Sequence, residues 1–123
     1  MGRMKENIVA DKSFAFAVRV VKANQYLVNE KKEFVLSKQF LRSGTSIGAN
    51  IEESTGGQSD ADFLSKISIA YKEARETHYW IRLLKATDYF TENQANDLLQ
   101  DVEELLKIIG SIKITMQKKI HNS

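Results

Sequence analysis

The chain of 123 residues is 42% hydrophobic and 28% charged, and its 18 Lys/Arg against 16 Asp/Glu leave a formal net charge of +2. That is length for one domain with one core, too charged for an integral membrane protein, and short of the basic excess of a protein dedicated to wrapping nucleic acid. The absence of cysteine excludes disulfides, thiolate metal centres and a cysteine nucleophile, and the absence of proline permits long unbroken helices.

Four helices are predicted in chain order. The first opens near Asp11 or Ser13, both good N-cap types, and runs to about Asn29, with Phe14, Ala17, Val18, Val21 and Val28 at helical spacing as its core stripe. Glu30, Lys31, Lys32 and Glu33 then read as a solvated connection. The second helix spans about Phe34 to Ser54, with Leu36, Phe40, Gly44, Ile47 and Ile51 recurring every three or four residues, and Gly56-Gly57 ends it. Ser59 with Asp62 three residues on opens the third, which carries the heptad seam Phe63, Ile67, Ala70, Ala74, Thr77, Ile81 and Leu84. Thr91 with Gln94 is a second capping box, opening a helix through Ala95, Leu98, Val102, Leu105, Ile109, Ile112 and Met116.

No segment alternates apolar and polar residues with hairpin punctuation, so the expected fold is all-α: an antiparallel up-down-up-down four-helix bundle, residues 1–123 as one domain with short flexible ends at about 1–10 and 121–123. Met1-Gly2-Arg3-Met4-Lys5 leads into mixed charge without an apolar run of signal-peptide length, and the expected location is the cytoplasm, with no membrane partner.

Two helices carry more apolar surface than one bundle needs. On the third, Ile69, Trp80 and Leu83 lie well round from the seam; on the first, Phe16, Val20 and Leu27 form a stripe opposite the assigned core. These six residues are the expected interface of a homo-oligomer, since aromatic residues concentrate at interfaces and large apolar patches are rare on monomers. On the second helix Gln39, Ser43, Ser46, Asn50 and Glu53 make a polar stripe, and Gly44 and Gly48 permit a close helix approach. Ser46, Asn50, Glu53, Lys66 and Glu73 are read as a structural polar network; the alternative is a ligand or catalytic pocket lined by Asn50, Glu53 and Glu73.

Tests for chemistry fail. A di-iron bundle needs Glu-x-x-His pairs, but His78 follows Arg75 and His121 follows Lys118, each at three residues. Gly56-Gly57 lacks a preceding strand and a Gly-Lys-Ser/Thr, no serine sits in a strand-to-helix elbow, and Glu52-Glu53 and Glu73/Glu76 read first as ion-pair partners. No catalytic residue, metal ligand or cofactor is assigned, and no enzyme is expected.

Charge is unevenly placed. Residues 1–50 hold nine basic and four acidic side chains, residues 51–104 five and twelve, and residues 105–123 four and none. On the third helix Tyr71, Arg75, His78, Arg82 and Tyr89, with Lys85 at the edge, share one sector that interleaves cations and aromatics. The candidate phosphate contacts are Lys38, Arg42, Arg75, Arg82, Lys85, Lys113, Lys118 and Lys119, with Tyr71 and Tyr89 as stacking residues for unpaired bases. The competing reading pairs those arginines with Asp97, Asp101, Glu103 or Glu104 of the fourth helix.

The run from Leu36 to Ser54 resembles the signature helix of the bacterial proteins named for intervening sequences of 23S ribosomal RNA genes, the S23 type. The match centres on Arg42-Ser43, Ser46-Ile47 and Asn50-Ile51-Glu52-Glu53, and a second block covers Asp62-Phe63, Ala70-Tyr71-Lys72-Glu73-Ala74, Glu76-Thr77 and Tyr79-Trp80. The resemblance extends from about Phe14 to Met116. It implies a four-helix bundle assembling as a homopentamer. It also implies similarity to the accessory proteins of diversity-generating retroelements, whose pentameric barrels bind nucleic acid and a reverse transcriptase. The expected function is therefore a non-enzymatic homo-oligomer associated with ribosomal RNA or another nucleic acid as a scaffold or accessory factor. The alternative is an adapter that recruits a protein partner and binds no nucleic acid.

Overall fold

The computed structural model describes residues 2–122, with side chains from Met4; Met1 and Ser123 lie outside the described residues. Four helices follow in order, α1 (Gly2–Asn29), α2 (Leu36–Thr55), α3 (Asp60–Ala86) and α4 (Glu92–His121). Each packs on its chain neighbours, α4 closes back onto α1, and among the described residues the backbones of the diagonal pairs α1/α3 and α2/α4 nowhere come within 8 Å between Cα atoms. Cross-helix contacts run in opposite order along every adjacent pair, as in Lys5 with Ser111 and Lys12 with Glu104, so the bundle is antiparallel throughout.

Sequence-local signals hold for α3 and α4. The Ser59 hydroxyl accepts from the Asp62 N–H at 3.1 Å, and Thr91 and Gln94 exchange both capping-box bonds at 2.9 and 3.1 Å. The α3 seam is buried at all seven expected positions. In α4 six of the seven are buried, and Met116 packs partly buried against the core.

The first helix differs in start and in phase. It begins at Gly2, so residues 4–10, expected as a flexible end, form two turns that bury Val9 and place the Lys5 ammonium 2.7 Å from Ser111 Oγ. Phe16, Val20 and Leu27, expected at an oligomer interface, are core residues at most 2% exposed. The stripe expected in the core is outside: Phe14 is 69%, Val18 41% and Val21 39% exposed. The seam that wins is Val9, Ser13, Phe16, Val20, Ala23 and Leu27, in alternating steps of four and three like that of α3. Its polar member, Ser13, disguises it.

The glycines of α2 hold this phase. A Cβ on Gly44 would stand 2.7 Å from Val20 Cγ1, and one on Gly48 would stand 3.3 Å from the Ser13 carbonyl oxygen, so α1 lies directly on bare α2 backbone. Gly44→Ala should therefore destabilise the fold by about 1–3 kcal/mol through overpacking, despite the better helix propensity of alanine. A urea midpoint at or above that of the parent would show that Val20 can move aside.

The connection before α2 is solvated at Glu30, Lys31 and Lys32 as expected, but not at Glu33. The Glu33 carboxylate is folded inward and accepts backbone N–H groups of Val35, Leu36 and Ser37 at 3.2, 3.1 and 2.7 Å, while the Ser37 hydroxyl donates to the Glu33 carbonyl at 2.8 Å. It caps α2 from outside the helix, leaving Phe34 and Val35 exposed in the loop rather than in the predicted first turn. Burial alone would raise its pKa; the Ser37, Leu36 and Val35 N–H donors outweigh burial and lower it.

Candidate nucleic-acid interface

Which cations remain open is decided by which carboxylates lie across each helix boundary. The acidic start of α4 is engaged by basic α1, through Lys12 with Glu104 at 3.2 Å and Arg19 with Asp101, and by His78 with Glu103 at 3.0 Å. Among the described residues neither Arg75 nor Arg82 forms an ion pair with an α4 carboxylate, contrary to the competing reading. Such exposed pairs add little stability, but they set the local field.

The eight candidate cations separate into groups. Arg42 is turned toward α3, donating to Glu73 at 2.9 Å and to Glu76; the Glu76 bond is the main cause of its raised pKa, against the opposing effect of burial. Lys85 donates to Asn96 at 3.0 Å, Lys119 pairs with Asp60 at 3.4 Å, and Lys38 and Lys118 are exposed and do not line the groove described next. Arg75, Arg82 and Lys113 come together. With Lys72, which periodicity alone does not single out, they line a shallow groove on the outer face of α3, floored by Ser68, Tyr71, Glu76 and Tyr79. Arg75 makes no ion pair or hydrogen bond among the described residues, and Lys72 sits close enough to help lower the Glu76 carboxyl without pairing directly.

The aromatic members also change. Tyr71 lines the groove with the Lys113 ammonium 5.2 Å from its ring centroid. Tyr89 does not: α3 ends at Ala86, and Asp88, in the left-handed region at φ 67°, turns Tyr89 back against the core. Tyr79 occupies the role instead, with the Arg82 guanidinium 5.8 Å from its ring. Arg82 is held there by His78, whose Nδ1 accepts from Arg82 Nε at 3.1 Å while Nε2 faces Glu103, an arrangement that one neutral tautomer satisfies.

Glu76, the carboxylate on the groove, accepts from both Arg42 and Trp80 through Oε2. Its pKa is lowered chiefly by the Trp80 indole N–H at 2.9 Å, with burial opposing and Arg42 adding to the lowering. This Arg42, Glu73, Glu76 and Trp80 cluster was not anticipated, although Glu73 and Glu76 stand three apart on one edge of a helix, the spacing a single guanidinium can bridge.

The expected polar network divides. Ser46 Oγ donates to the Arg42 carbonyl at 2.6 Å and Asn50 Nδ2 to the Ser46 carbonyl at 2.8 Å, so both bond back along α2 itself. Glu53 pairs with Lys66 at 2.8 Å as anticipated, but Glu73 pairs with Arg42, some eleven residues and about 16 Å away along α2 at 1.5 Å per residue. Asn50, Glu53 and Glu73 do not converge on one point. Among the described residues no group of three or more His, Asp or Glu could hold a metal ion, and no helix is long and apolar enough to cross a membrane. Ile69 is exposed on α3, while Trp80 and Leu83 are half-buried.

Fold and surface together define a small antiparallel four-helix-bundle protein with an open cationic face on α3. Residues 5–111 match the model of the 23S rRNA-intervening sequence protein family, and the chain belongs to that family. The structure is similar to the 1.70 Å crystal structure of a protein of unknown function from the S23 ribosomal protein family of Bacteroides thetaiotaomicron VPI-5482. The TM-score is 0.88 and the identity 55%, over 89% of this chain and 97% of that one. No curated protein matches the chain. Neither the family's name nor that of the structural relative describes an enzyme.

Proposed function

We propose that this protein is a non-enzymatic homo-oligomer, of five subunits as the resemblance implies, that associates with ribosomal RNA or another nucleic acid as a scaffold or accessory factor. The groove on α3 carries the reading: Lys72, Arg75, Arg82 and Lys113 line it while Glu76 within it and Glu73 one turn before are engaged by Arg42. Self-association is supported by the exposed Phe14, Val18 and Val21 of α1, a coherent apolar face with an aromatic residue. The family's name supports an RNA context. In an oligomer the groove is repeated on every subunit, and a weak site gains affinity through multivalency.

Light scattering gives subunit number, and polarisation with labelled structured RNA, single-stranded RNA and duplex DNA across a salt series gives the electrostatics. Lys72→Ala with Arg75→Ala should weaken binding and lower the salt slope by roughly one unit for each phosphate no longer neutralised. An assembly that binds none of the three even at low salt overturns the nucleic-acid reading in favour of a protein partner. A monomer overturns the oligomer.

A further inference from the structure

We infer that the α3 groove takes an unpaired nucleic-acid strand, with bases stacked on the Tyr71 and Tyr79 rings and the intervening phosphates on Lys72 and Arg75. This rests on the nucleic-acid reading and adds the form of the ligand. Tyr71 and Tyr79 stand one turn to either side of Arg75 on one helix face, about 12 Å apart along the axis at 1.5 Å per residue. Successive bases along one strand of a duplex are spaced by about 3.4 Å, and their faces are covered by their neighbours. Rings this far apart, with cations between them, suit bases splayed from a single strand whose backbone tracks the groove.

Both rings are braced from behind. Tyr71 lies over the bare backbone of α4 at Gly110, where a Cβ would come within 3.3 Å of its Cε1. Tyr79 packs T-shaped with Trp80, ring centroids 5.1 Å apart and planes at 73°, and Trp80 is itself anchored to Glu76. Each ring also carries a cation on a flexible stem, Lys113 on Tyr71 and Arg82 on Tyr79. An arriving base can displace Lys113 toward the phosphates, where it adds to the charge already supplied by Lys72 and Arg75, while Arg82 stays on its His78 hydrogen bond. Glu76 lines the groove as well, and its negative charge there is offset by Arg42, with the Trp80 N–H on the same carboxylate oxygen.

The test is polarisation with labelled oligouridylate, oligothymidylate and a DNA duplex of the same length, using the full chain. Both single strands should bind more tightly than the duplex. Tyr79→Ala should weaken strand binding about five- to hundredfold, the range expected for removing the platform of one stacked base, while Tyr79→Phe and Tyr71→Phe keep it. The salt slope should be unchanged in Tyr79→Ala and reduced by Lys72→Ala with Arg75→Ala, which separates stacking from charge. Tyr79 is half exposed, so its alanine variant should fold, and circular dichroism verifies this. Duplex binding as tight as strand binding, or unaltered strand affinity in folded Tyr79→Ala, overturns the inference and leaves nucleic-acid binding standing. No binding to any of the three at low salt overturns both.

Discussion

Phe16→Ala should cost the fold about 3–5 kcal/mol, whereas Phe14→Ala should change subunit stability by no more than about 0.5 kcal/mol. The two phenylalanines are two residues apart on one helix and chemically identical, so composition and propensity contribute equally to both. They differ in what they touch. Phe16 is 2% exposed in the cluster that joins all four helices, and its removal leaves a cavity that rigid neighbours fill only in part; Phe14 is 69% exposed. For a domain with total stability of about 5–15 kcal/mol, the first loss is a large fraction. Urea denaturation at low protein concentration reads the two effects. Light scattering completes the contrast, since Phe14→Ala should lower the mass of the proposed assembly while Phe16→Ala acts on the subunit itself. Comparable destabilisation by both variants would mean that α1 does not hold the phase described.

Glu33→Ala should destabilise by about 2–3 kcal/mol, more than an ordinary N-cap loss, because three backbone N–H groups, that of Ser37 buried, lose one ionised acceptor. The effect carries a pH signature. The folded carboxyl has a pKa below its unfolded value, so the unfolded chain binds the proton more readily and acid favours unfolding. The stabilisation from Glu33 is complete above the unfolded glutamate value of about 4.3 and fades as pH falls through the lower folded value. Stability curves of the parent and of Glu33→Gln, measured by thermal melting from neutral to acid pH, should therefore converge at the acid end. Parallel curves would show that the carboxylate is not the acceptor.

The candidate groove is partly legible in the sequence. Tyr71, Arg75 and Arg82 fall in one sector by helical periodicity alone, a local property of α3, and Lys113 stands among the basic residues of the C-terminal block. Tyr89 is misplaced when the sector is extended past Ala86, and no glycine marks the stop; a left-handed Asp88 makes the turn. Tyr79 lies about 40° and Lys72 about 60° outside the sector drawn from sequence at about 100° per residue, and only the position of α4 shows how wide the open face is. Arg42 reads as a free cation because nothing in α2 reveals that Glu73 and Glu76 stand opposite it.

The sequence by itself determined four helices, their caps at Ser59 and Thr91, the seams of α3 and α4 and the antiparallel order, because periodicity, capping and short connections act over a few residues. Tertiary structure decided which of two apolar stripes on α1 is buried and which cations remain open. Either stripe could drive burial on its own. The choice falls to Gly44 and Gly48 of α2, whose bare backbone receives Val20 and Ser13, and the charges are sorted by partners that meet only across helix boundaries.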